Sequence, residues 1–225
     1  MVGLQDFAVL AICVVIPVAT GMGMFGNVAG GSMPLNSWFA WHPVFMTAAF
    51  PCFMALGRYS YVSETLPDKA SRRQAHRALM IVGTLFAIAG YVCIFMAHWP
   101  GRKFFGYDFT KHVWGPWARI IHDWVGYSVL ALVLAQAAMG ATKMEFLRQG
   151  AKTFRFHGSL GKVILVAAFV NICIALYIWA WSPQRKWALG ILAAIALPVV
   201  GVLVPAATAP MEEAPLLPEP VQAKQ

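Results

Sequence analysis

Between Asp6 and Arg58 the chain carries no Asp, Glu, Lys or Arg, and an uncharged run of that length restricts the fold more than any motif does. Four further uncharged blocks follow at 78–101, 124–142, 163–184 and 187–211. A bilayer core of roughly 30 Å is crossed by about 20 residues of helix. Lipid offers no partner for backbone N–H and C=O groups, so such spans must close their hydrogen bonds internally. Each later block therefore holds one span. The first holds two, broken by the turn-rich segment 27–36 (NVAGGSMPLN). The pattern predicts helices near 7–26, 41–61, 75–98, 120–142, 157–180 and 187–207. Composition agrees: 12% of residues are charged, where a soluble domain carries about a quarter. The expected fold class is all-α, a six-transmembrane-helix bundle.

Residues 1–207 read as one transmembrane domain, and the Pro- and Glu-rich residues 208–225 as a disordered C-terminal tail. No soluble domain is expected at either end. The N-terminus lacks the basic region of a cleavable signal peptide, so the first helix is expected to be retained. The formal net charge of +8 invites a nucleic-acid reading, but its distribution argues against one. Six spans put both termini, the 2–3 loop and the 4–5 loop on one side, here side A. Eleven of the 17 Lys and Arg fall there, and six fall on the opposite side B. The positive-inside rule makes side A cytoplasmic. All nine Trp lie toward side B, as an interfacial aromatic belt would. Cys13, Cys52, Cys93 and Cys173 stand singly inside spans, without the CxxC or CxxCH spacing of a metal or covalent haem site.

Ionisable residues inside spans are rare and default to function. His42, His76, His122 and His157 each stand near the start of a predicted helix, on helices 2 to 5 in turn. Alternate helices start from opposite faces, so His42 shares one membrane level with His122, and His76 shares the other with His157. The spacings form a near-repeat: 34 residues from His42 to His76, 35 from His122 to His157. One such histidine is easily a core residue; four at matched depths are not. Two imidazoles from facing helices are what a b-type haem requires. Zinc would want a third or fourth ligand converging. Gly83 and Gly90 follow His76 at seven-residue steps, and Gly126 and Gly161 stand four after His122 and His157. They fit clearance for a flat macrocycle or close packing of helices about equally well.

Trp41-His42-Pro43, Arg73-x-x-His76, His122-Asp123-Trp124 with Gly126, and Phe156-His157-Gly158 resemble the opening motifs of helices 2 to 5 in the eukaryotic cytochrome b561 family, most closely its short, domain-free members. The resemblance covers about residues 5–207. It implies four central helices (2–5) holding two non-covalent haem b groups: His42 and His122 toward the non-cytoplasmic side, His76 and His157 toward the cytoplasm. It implies a transmembrane, ascorbate-dependent oxidoreductase, passing electrons from cytoplasmic ascorbate to monodehydroascorbate or a ferric chelate on the far side. An integral multi-pass protein of the endomembrane or plasma membrane, with cytoplasmic termini and a homodimeric state, is further implied.

For substrates, Arg72, Arg73, Arg77, Lys152 and Arg155 match the family's basic rim near ascorbate, although positive-inside residues facing lipid phosphates explain them too. His98 and Trp124 match positions at its non-cytoplasmic site. The chain departs from the family in the length of the segment from His98 to His122, and in Ile120, where a small hydroxyl residue is usual. Two other readings stay open on the sequence: a quinol-oxidising di-haem cytochrome, and a haem-bearing structural subunit of a larger membrane complex.

Overall fold

A computed structural model describes residues 4–26, 33–151 and 153–180, the side chains of 179 and 180 excepted. Its architecture is all-α, with five helices long and apolar enough to cross a membrane. These are α1 (Leu4–Phe25), α2 (Trp38–Tyr59), α3 (Lys69–His98), α4 (Trp117–Arg148) and α5 (His157–Ala180). The sixth predicted helix, 187–207, and the tail from 208 lie outside the described residues.

Two of the helices outrun their predicted spans. α3 starts six residues early because Asp68 caps it: its carboxylate accepts from the Ser71 amide at 2.8 Å and the Ser71 hydroxyl at 2.6 Å. Those bonds, the hydroxyl foremost, hold the Asp68 carboxyl below its ordinary range. α4 begins after Pro116 and runs on to Arg148, well past its uncharged block. Hydropathy marks where lipid ends, whereas caps decide where a helix ends. α2 is regular over Trp38–Thr47, widens to a π-helix over Ala48–Met54 and closes with Ala55–Tyr59. Pro51 lies in the widened turn. It cannot donate a backbone bond and its ring crowds the preceding turn, so widening relieves both.

α2 packs chiefly on α3, and α4 on α5, so the bundle is built of two helical hairpins, with α1 laid against α2. The α2–α3 contact is the closer. A Cβ on Gly83 would sit 2.8 Å from Met54 Cγ and 3.2 Å from the Ala49 carbonyl oxygen; one on Gly90 would sit 3.1 Å from Met46 Cε. These two glycines serve helix contact. The main core gathers Ala49, Phe50 and Met54 of α2, Ala87 of α3, Val129 and Val133 of α4, and Ile164, Leu165 and Ala168 of α5. α1 is latched at its start by Asp6, whose buried carboxylate accepts from Tyr59 Oη and Ser63 Oγ, each at 2.8 Å, and from the amide and hydroxyl of Thr65.

The long segment between α3 and α4 folds into a small antiparallel sheet, β1 (Lys103–Phe104), β2 (Tyr107–Asp108) and β3 (Val113–Trp114), in that order. Phe105 and Gly106 link β1 to β2 with φ of 59° and 79°, the two positive values of a type I′ turn. At Gly106 a Cβ would press on Ile120, 2.7 Å from Cγ1 and 2.9 Å from Cα. The two departures from the family pattern are thus one feature: the lengthened segment seats its hairpin turn on Ile120.

Candidate electron-transfer site

His42, near the start of α2, and His122, near the start of α4, face each other with ring centroids 6.3 Å apart and planes at 86°. Two imidazoles on opposite sides of one metal ion, each bonded at about 2.0–2.1 Å, put their ring centres roughly 6 Å apart. His42 Nδ1 lies 2.9 Å from the Gly90 carbonyl oxygen and His122 Nδ1 3.2 Å from that of Asn171. Donation there fixes the neutral tautomer and leaves each Nε2 lone pair for a metal. The residues fit a bis-imidazole haem on this level.

At the other level His76 Nδ1 lies 2.8 Å from the Gly57 carbonyl oxygen, and the Tyr61 ring packs 5.0 Å from the His76 ring. The same hairpin therefore anchors both its histidines reciprocally: His42 of α2 on a glycine carbonyl of α3, His76 of α3 on a glycine carbonyl of α2. His157 stands within electrostatic reach of His76. Its ring lies on Gly140, where a Cβ would come 3.4 Å from Cε1. Its Nδ1 is buried and has no hydrogen-bond partner among the described residues.

Around these pairs stand residues that the sequence reading passed over. Gln136 of α4 donates from Nε2 to the His157 carbonyl oxygen at 2.7 Å. The Asn171 amide lies where a Cβ on Gly126 would meet its Nδ2 at 3.3 Å. Both amides sit inside uncharged spans, and a polar residue there is itself a signal. Arg58 is buried, with its guanidinium 5.8 Å from the centre of the Tyr61 ring. Burial raises the Tyr61 hydroxyl above its ordinary range.

The predicted substrate residues divide. Arg72 spends two donors on the α2–α3 loop, Nε to the Leu66 carbonyl at 3.0 Å and Nη1 to the Tyr61 carbonyl at 3.1 Å. Arg73, Arg77 and Arg155 are exposed. Lys152 lies outside the described residues. On side B, His98 is partly buried and within electrostatic reach of His42, Asp123, Arg119 and Lys103. Trp124 joins Phe105, Tyr107, Phe109 and Trp114 of the sheet-bearing segment in lining an aromatic cleft. The structure thus puts His98 and Trp124 on the side of the His42–His122 pair.

A bundle of membrane-spanning helices with histidines paired across its interior defines a class, the multi-pass haem-binding membrane proteins. A family model narrows the class: that of eukaryotic cytochrome b561 matches residues 41–183. The chain belongs to the eukaryotic cytochrome b561 family. Membership makes it an integral membrane protein of haem-dependent transmembrane electron transfer. A search of curated proteins returned no match.

Proposed function

We propose that the chain carries electrons from cytoplasmic ascorbate on side A to monodehydroascorbate or ferric iron on side B, through two non-covalent haem b groups. His42 and His122 would hold one haem, and His76 and His157 the other. Bound there, each haem would supply a reversible one-electron couple, and two imidazoles to each iron would favour electron transfer over oxygen binding. The observation that carries the reading is the His42–His122 pair, two rings 6.3 Å apart on helices of different hairpins.

The protein's own residues select direction and substrate. The exposed guanidiniums of Arg73 and Arg77, one turn apart beside His76, form a positive rim that draws an anionic donor by charge. Arg155 adds to it at the start of α5. Arg72, on the same helix, ties the α2–α3 loop to the start of α3 through the Leu66 and Tyr61 carbonyls. On side B, His98 and Trp124 stand beside the His42–His122 pair to receive the acceptor. From His76 to His98 is 22 residues, about 33 Å at 1.5 Å per residue.

The test is ascorbate reduction of the purified protein, followed by its optical spectrum, with the haem-to-polypeptide ratio measured alongside. Two haem b per chain and reduction from side A in oriented vesicles are expected. One haem per chain, or reduction from side B alone, would overturn the reading.

A further inference from the structure

Three of the four paired histidines place Nδ1 on a backbone carbonyl: His42 on Gly90, His76 on Gly57 and His122 on Asn171. His157 does not. Its Nδ1 is buried without a partner among the described residues, and so is Oε1 of Gln136. These two orphans are a donor and an acceptor, and they belong to residues already joined, since Gln136 Nε2 donates to the His157 carbonyl oxygen at 2.7 Å. Gly161 makes room for that amide: a Cβ there would come 3.3 Å from Nε2. A buried polar atom left unpaired costs about 1–3 kcal/mol, so a complementary donor and acceptor on two residues already hydrogen-bonded to each other have reason to join.

We propose that Gln136 is the positioning residue of His157, its Oε1 taking the Nδ1 proton's hydrogen bond directly or through one water. Three ligands are then held by backbone, which no substitution removes, and the fourth by a side chain. A hydrogen bond from the far nitrogen raises the basicity of a ligating imidazole, which favours the ferric state. Gln136 therefore tunes the His76/His157 haem and leaves the other untouched. The inference rests on the two-haem reading above.

Redox titration of the holoprotein tests it, with the low-spin EPR signal of each haem followed in parallel. Gln136→Met keeps the length and removes the acceptor. It should raise the midpoint potential of the His76/His157 haem by about threefold to tenfold in its redox equilibrium, tenfold being 59 mV for one electron. Gln136→Glu supplies a stronger acceptor and should shift the same haem the opposite way, which decides the matter should the Met variant load poorly. The other haem should not move. No shift, or equal shifts in both haems, would overturn the proposal. So would a shift from Thr153→Val in place of Gln136→Met, because Thr153 Oγ1 is a third buried orphan, four residues before His157. Fewer than two haems in the unaltered protein would instead sink the reading beneath it.

Discussion

The α2–α3 and α4–α5 hairpins carry their histidines at nearly the same spacing, 34 and 35 residues, yet they hold them by different means. In the first, each histidine reaches a glycine carbonyl on the opposite helix, at 2.9 and 2.8 Å. The helices approach closely enough because Gly57, Gly83 and Gly90 lack a Cβ between them. In the second, one histidine reaches a carbonyl at 3.2 Å and the other reaches none among the described residues. Here the glycines face amide side chains, Gly126 against Asn171 and Gly161 against Gln136. A repeat in sequence thus preserves where the ligands stand without preserving what orients them. Backbone anchoring comes with close packing, and side-chain anchoring leaves room for adjustment.

The largest expected effect cuts across the hairpins. On the proposed pairing each haem takes one ligand from each hairpin, so His42→Leu and His122→Leu should remove the same haem. His76→Leu and His157→Leu should remove the other. A pyridine haemochrome assay should fall from two haem b per chain to one in every case. If His42→Leu and His76→Leu left identical spectra, the pairing between hairpins would have to be replaced by pairing within them.

Next comes stability, and here the hairpins should part. Gly83→Ala drives a Cβ within 2.8 Å of Met54 Cγ and 3.2 Å of a backbone oxygen, neither of them the free end of a side chain. Overpacking of that kind typically costs 1–3 kcal/mol. Gly126→Ala meets only the end of the Asn171 amide at 3.3 Å, which can turn aside, and gains up to about 1 kcal/mol of helix propensity. Thermal unfolding in detergent should show a clear loss for Gly83→Ala and near-neutrality for Gly126→Ala. Equal losses would mean that the second hairpin is as closely packed as the first.

Which part of this was legible depended on the length scale. Uncharged blocks placed the five described spans, because desolvation acts on twenty residues at once. The histidine levels followed from helix direction alone, and the 6.3 Å approach of His42 to His122 supports the pairing proposed for that level. What the sequence concealed lies at contact scale. Gly83 and Gly90 keep step with His76 in sequence, yet they face α2. Asp6 reads as the boundary of a span, and only the fold brings Tyr59, Ser63 and Thr65 to its carboxylate. The sheet at 103–114 needs Gly106 over Ile120, a contact between residues that no period links. Gln136 and Asn171 were the missed signal, since an amide in an apolar span is as conspicuous as a histidine.

The smallest effect concerns the loop that closes the first hairpin. Arg72, Arg73 and Arg77 look alike in sequence, but Arg72 binds the Leu66 and Tyr61 carbonyls whereas Arg73 and Arg77 are exposed. Attraction of an anion to exposed charges is screened over about 10 Å at 0.1 M salt. Replacing Arg73 and Arg77 together with Gln should therefore slow reduction by ascorbate severalfold at low salt, and the gap should close as salt rises. A neutral reductant should be unaffected. Arg72→Gln should behave otherwise: two loop carbonyls lose their donor, so slowing should be alike for charged and neutral reductants and indifferent to salt. Stopped-flow reduction over a salt series separates these cases. Ascorbate kinetics unchanged in the double variant would leave the rim to lipid phosphates and take the donor away from the first hairpin's end of the bundle.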